Sequence, residues 1–136
     1  MKKILAGVFL TGALLSAGPY TKQDRIKDMQ TMASAMQEIQ TGFFYNNFDM
    51  IKEGTAKLSD TIIKIEPPLE EVEEKDVMTR YVNRKVQMSN KIKKKINNKA
   101  KDVIERFKDG DAVQSLQAYT KITKQCMECH TQLRNW

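Results

Sequence analysis

Both cysteines and the single histidine of this 136-residue chain fall within five consecutive positions, Cys126-Met127-Glu128-Cys129-His130. Thiolates and imidazole are ligands for transition metals, and paired thiols can also form covalent sulfur bonds. On a helix, side chains at positions i, i+3 and i+4 project from one face, so all three could act on one bound group. We therefore expect the chemistry of this chain in this segment.

The C-x-x-C-H spacing is typical of covalent haem attachment. Each thiol would form a thioether bond with a porphyrin vinyl group, and the imidazole would ligate the iron. A thioredoxin-like site requires a βαβ context, and a zinc site requires about four ligands, which the chain cannot supply from Cys and His. A disulfide between the cysteines would leave His130 without a role. The motif predicts one haem c, bound through Cys126 and Cys129, with His130 as an axial ligand.

The N-terminus has the pattern of a bacterial secretory signal. Met1-Lys2-Lys3 is followed by an apolar run from Ile4 to Leu15 and by the small residues 16–18. That run is shorter than the about 20 residues needed to span a bilayer. We expect residues 1–17 to be a signal peptide and residues 18–136 to form one periplasmic domain. An uncleaved signal would be the only membrane contact.

The rest of the chain has helical periodicity throughout. Apolar residues recur at steps of three and four in four segments, which predicts helices over 24–45, over 48–66, from a start between 69 and 77 to 108, and from 111 to the C-terminus. Asn46-Asn47, Pro67-Pro68 and Gly110-Asp111 separate them. The predicted fold is all-α, an antiparallel four-helix bundle with the haem attached to the C-terminal helix.

The same periodicity predicts which faces are buried. The predicted buried face of the first helix comprises Ile26, Met29, Met32, Met36, Ile39 and Phe43. The predicted buried face of the last helix comprises Val113, Leu116, Tyr119, Cys126, Cys129, His130 and Leu133.

In layout, the chain resembles the class II cytochromes c, which include cytochrome c′. The shared features are four helices, export and a C-x-x-C-H motif close to the C-terminus. Arg134 matches the arginine that this family has four positions after the histidine. The segment from Arg25 to Met29 matches the family pattern R-x-x-x-[LM] in the first helix. Leu133 differs from the family, which usually has an aromatic residue at that position.

The resemblance implies roles for residues outside the motif. His130 is the only histidine, so a Met thioether, a Lys amine or an open position remains for the sixth coordination site. The family places Met29 over the distal haem face, where a thioether would stabilise ferrous iron, and Met32 is the fallback ligand. Both could instead simply fill the core. Arg25 and Arg134 would contact the haem propionates, or else be solvated surface arginines.

These features together predict a mono-haem carrier of single electrons between redox partners. The alternative is a cytochrome c′-like protein that binds nitric oxide or carbon monoxide at an open distal site. A third hypothesis is an exported helical bundle without haem. We expect no enzyme, because the sequence contains no carboxylate pair, Ser/His/Asp set or Gly-rich phosphate loop.

Charge is distributed unevenly along the chain. The net charge is +6, and nine Lys or Arg without any acid lie between Arg80 and Lys101, after an acidic stretch from Glu66 to Asp76. Such a field favours docking of an acidic redox partner, although a solvated face that complements the helix dipole is the simpler explanation. Export argues against nucleic-acid binding. Family members are often homodimers, but the sequence does not decide the oligomeric state.

Overall fold

A computed structural model describes residues 20–66 and 78–133 of the chain. Within them the elements are α1 (Lys22–Phe44), α2 (Phe48–Ile62), α3 (Met78–Lys108) and α4 (Ala112–Leu133), and these residues contain no strand. The prediction of an all-α protein with four helices is confirmed. The predicted signal peptide (1–17), the predicted start of the third helix (69–77) and Arg134 lie outside the described residues.

Asparagines close the turn between α1 and α2, as predicted. Asn46 has a φ of 48°, in the left-handed region that asparagine tolerates. The N–H of Asn46 donates to the Phe43 carbonyl at 3.2 Å, and that of Asn47 donates to the Gly42 carbonyl at 2.9 Å. This bond pair satisfies the last carbonyls of α1. Asn47 Oδ1 then accepts from the Met50 N–H at 3.1 Å and caps α2.

Gly110 closes the turn between α3 and α4 in the same way. Its φ of 82° is one that residues with a Cβ rarely adopt. The N–H of Gly110 donates to the Phe107 carbonyl at 3.1 Å, and that of Asp111 donates to the Arg106 carbonyl at 2.9 Å. Asp111 Oδ1 accepts from the Gln114 N–H at 3.0 Å and caps α4. The predicted helix boundary is therefore confirmed.

The second helix ends earlier than predicted. The predicted helix continues through Ile65 and stops at Glu66-Pro67-Pro68, but α2 ends at Ile62. Beyond that point the N–H of Lys64 donates to the Thr61 carbonyl and that of Ile65 to the Ile62 carbonyl, so the chain tightens into i→i+3 bonds. Ile65 remains buried, which explains why it continued the apolar periodicity of the helix.

The four helices pack around one core. Contacts join α1 to α2, α2 to α3 and α3 to α4. The Tyr119 hydroxyl donates to the Met36 carbonyl at 3.2 Å and ties α4 to α1. The Phe43 ring lies 5.7 Å from that of Phe107 and 5.8 Å from that of Tyr119, and Phe48 stacks on Phe107 at 6.3 Å. None of the described helices is long and apolar enough to span a membrane.

Parts of the predicted buried faces are wrong. Val113 and Leu116 of α4 are 69% and 49% exposed, and Ile26 of α1 is 42% exposed. The first half of α4 instead buries Ser115 and Ala118. A small residue allows α4 to approach α3 closely, and the Ser115 hydroxyl donates to the Val103 carbonyl of α3 at 2.7 Å. A hydroxyl that makes a hydrogen bond can be buried at little cost in free energy. A prediction from hydrophobicity alone therefore assigned the wrong residues to the buried face of α4.

Candidate functional site

An apolar cleft lies between the helices and contains the predicted motif. Its cavity volume is about 250 Å³. All four helices or their ends contribute to its walls. The cleft is thus a mainly apolar site, slightly below the size range common for ligand pockets.

One wall of the cleft is the face of α4 that carries the motif. Cys126, Cys129 and His130 all line it, and each is half-buried. The spacing i, i+3, i+4 therefore brings the three side chains together, as the sequence predicted. Tyr119, two turns earlier on α4, also lines the cleft and connects it to the aromatic contacts with Phe43.

Methionines of α1 form another wall. Met29, Met32 and Met36 all line the cleft, with Met32 buried and the other two partly buried against the core. Both predicted candidates for the sixth coordination position therefore lie in the same cleft as His130. The geometry does not separate the two, because each is a flexible thioether on the same helix face.

Of the two arginines predicted to contact the haem propionates, the structure describes only Arg25. Arg25 is half-buried one turn before Met29, but it is not among the residues that line the cleft. Its Nε atom is buried and has no hydrogen-bond partner within the described part of the chain. A buried donor without a partner costs about 1–3 kcal/mol, so this atom needs an acceptor. Arg134 lies outside the described residues.

Lys93 is a cleft residue that the sequence analysis missed. It lines the cleft from α3, and its Nζ donates to the Ile65 carbonyl at 2.7 Å, just beyond the end of α2. Because Lys91, Lys94 and Lys95 are its neighbours, the sequence does not distinguish Lys93 from a solvent-exposed lysine. Its position three residues before Ile96, beside the apolar stripe of α3, was the one sequence feature that could have indicated a place in the cleft wall.

The described cysteines are not part of a recognisable metal-binding cluster, and Cys126 is a weaker acid than an ordinary thiol. Among residues 20–66 and 78–133, no group of three or more His, Cys, Asp and Glu side chains could hold a metal ion. Burial, and to a lesser degree the neighbouring Cys129, raises the pKa of the Cys126 thiol to about 11. At neutral pH this sulfur therefore carries its proton when no group is bound to it.

The raised pKa predicts a loss of stability at alkaline pH. The folded chain holds the Cys126 proton more tightly than the unfolded chain, because the pKa rises from 9.0 to about 11 on folding. This contribution is complete below pH 9 and is lost as the pH rises towards 11. This contribution is about 3 kcal/mol. Urea unfolding of the chain without attached haem, between pH 8 and pH 12, should show the decline.

The matched variant is Cys126→Ser, which lacks this titration. Burial also raises the pKa of Tyr119, so part of the alkaline decline remains in the variant. A decline of equal size in both proteins would contradict the assignment to Cys126. A sulfur in a thioether has no proton to lose, so a chain with attached haem should behave like Cys126→Ser.

Comparison with models of protein families, with curated proteins and with solved structures finds no match for this chain. The function is therefore inferred from its residues and their geometry.

Proposed function

We propose that this protein is a periplasmic mono-haem c-type cytochrome that carries single electrons between redox partners. The observation that carries the proposal is the shared cleft, in which Cys126, Cys129 and His130 face the same space as Met29 and Met32. A wall of two thiols and one imidazole, opposite thioethers, has the donor set that haem c requires.

The short turns between the helices support the proposed bundle. Two short turns, at 45–47 and 109–111, join α1 to α2 and α3 to α4. Helices joined by such short loops pack as antiparallel neighbours, so we assign an antiparallel four-helix bundle similar to the class II cytochromes c. The attachment residues then lie on the last helix, as in that family.

The proposal gives each of these residues a role in binding the haem. Cys126 and Cys129 would hold the haem by thioether bonds, and His130 would be a ligand of its iron. Met29, with Met32 as the fallback, would supply a sulfur ligand. Haem iron supplies reversible one-electron chemistry when bound. The Arg25 guanidinium, whose Nε needs an acceptor, would donate to a propionate, and Arg134 has the same proposed role.

The test is the mass and the absorption spectrum of the protein exported from a bacterium with haem maturation factors. We expect a mass increment of one haem and a ferric far-red band from sulfur-to-iron charge transfer. A high-spin spectrum that changes readily with carbon monoxide would instead support the alternative, an open site for nitric oxide or carbon monoxide. A colourless protein would overturn both and leave a helical bundle without haem.

A basic groove between α3 and α4 is the proposed docking surface for an acidic redox partner. The groove is lined by Lys95, Asn98, Lys99, Lys121, Lys124 and Gln125. Lys99 is paired with Asp102 on its own helix, whereas Lys95, Lys121 and Lys124 are exposed. The last helix thus adds lysines to the basic stretch that the sequence indicated. A concentrated positive field raises encounter rates with anionic partners.

Charge reversal in this groove should slow electron transfer to anions. We expect Lys121→Glu/Lys124→Glu to slow oxidation of the ferrous protein by hexacyanoferrate(III) by about tenfold at low ionic strength. High salt should reduce the difference. The matched control is Lys52→Glu/Lys64→Glu, which makes the same charge change at exposed lysines elsewhere. Equal slowing by both pairs, measured by stopped-flow absorbance, would contradict a specific docking surface.

A further inference from the structure

Lys93 brings a positive charge into the wall of a mainly apolar cleft. The described lining contains no Asp or Glu and no other Lys or Arg. The side chain is half-buried, so its charge is only partly screened by water. Charges interact more strongly in such a low-dielectric setting than on an open surface. The charge of Lys93 therefore acts on whatever occupies the cleft.

The position of this charge is fixed by the end of α2. The ammonium donates to the Ile65 carbonyl at 2.7 Å, a length typical of charge-assisted hydrogen bonds. Ile65 is itself buried and lines the same cleft. Carbonyls beyond the C-terminus of a helix attract cations, because the helix dipole is negative there. Lys93 is thus held at the cleft wall rather than extended into solvent.

We propose that Lys93 sets the reduction potential of the cleft's prosthetic group by stabilising its ferrous state. This inference rests on the proposed function. Reduction adds one electron, donated by a redox partner, to the iron, and the net charge of the site falls by one. A nearby cation favours the state with less positive charge, so it raises the potential. The effect holds whether the sixth position is occupied by a methionine or open.

The test is a redox titration of the haem-loaded, full-length protein. We expect Lys93→Gln to shift the one-electron equilibrium towards the ferric state by about threefold to tenfold, where tenfold corresponds to 59 mV. Lys93→Arg keeps the positive charge and should have the reduction potential of the wild-type protein. Lys91→Gln is the matched control, because it removes an exposed charge two residues away on the same helix. A potential that is equal in Lys93→Gln and Lys91→Gln would overturn the inference.

A second variant separates charge from hydrogen bonding. Acetyl-lysine incorporated at position 93 keeps the long stem and an N–H donor for the Ile65 carbonyl, but it removes the charge. It should lower the potential as Lys93→Gln does, and it serves as the test if Lys93→Gln fails to fold. An unchanged potential would show that the residue acts only by packing. The mass of the wild-type protein distinguishes this failure from that of the proposed function, because the latter fails when no haem is attached.

Discussion

Replacing Cys126 and Cys129 with alanine is expected to give a colourless protein that unfolds at a clearly lower temperature. Both sulfurs line the cleft, and the proposed haem would occupy the space between them and the methionines of α1. Without covalent attachment that space stays open to water, and its apolar walls lose their packing partner. Domains are stable by only about 5–15 kcal/mol, so this loss is a large part of the total.

The measurements are the intact mass, which should lack the haem increment, and thermal unfolding followed by circular dichroism. Met127→Ala is the matched control, because Met127 lies inside the motif but is half-exposed. This variant should retain the haem and unfold at the wild-type temperature. A double alanine variant that unfolds at the same temperature as the wild-type protein would contradict the role of the haem as part of the core.

Replacing Met29 with leucine is expected to convert the iron from six-coordinate to five-coordinate. Leucine has nearly the volume of methionine, so the bundle should remain folded. It lacks the sulfur, so the far-red ferric band should disappear and the spectrum should become high-spin. Carbon monoxide should then bind to the ferrous protein at least about tenfold more tightly, because no internal ligand has to leave first.

Two further leucine variants complete the experiment. Met36→Leu changes the third methionine of the same cleft wall and should leave the ferric spectrum unchanged. If Met32→Leu, and not Met29→Leu, removes the far-red band, the fallback ligand is the correct one. If neither Met29→Leu nor Met32→Leu alters the spectrum, methionine ligation by these residues is wrong.

The sequence predicted the features that depend on residue type at fixed spacing. The four helices follow from apolar periodicity. Two of the helix boundaries follow from Asn46 and Gly110, which are residue types that tolerate a positive φ. The convergence of Cys126, Cys129 and His130 follows from helix geometry alone. That these three residues share a cleft with Met29 depends on how α1 packs against the other helices, which the periodicity of one helix does not predict.

Features that depend on the neighbours of a residue could not be predicted. Ser115 is buried because Val103 offers a carbonyl, and Lys93 lines the cleft because Ile65 offers another. Both partners are distant in sequence and are not recognisable by residue type. Val113 and Leu116 are exposed although they are apolar, since α4 turns its smaller residues towards α3. Amphipathic periodicity describes the faces of a single helix, whereas the contacts between helices determine which residues are buried.

The aromatic contacts among Phe43, Phe48 and Phe107 lie outside the cleft. These rings are half-buried near the end of α1, the start of α2 and the end of α3, and none of them lines the cleft. This part of the interior is packed by the polypeptide alone. Under the proposed function, the exported chain would consolidate this end first, and the cleft end would stay accessible to the enzymes that attach the porphyrin.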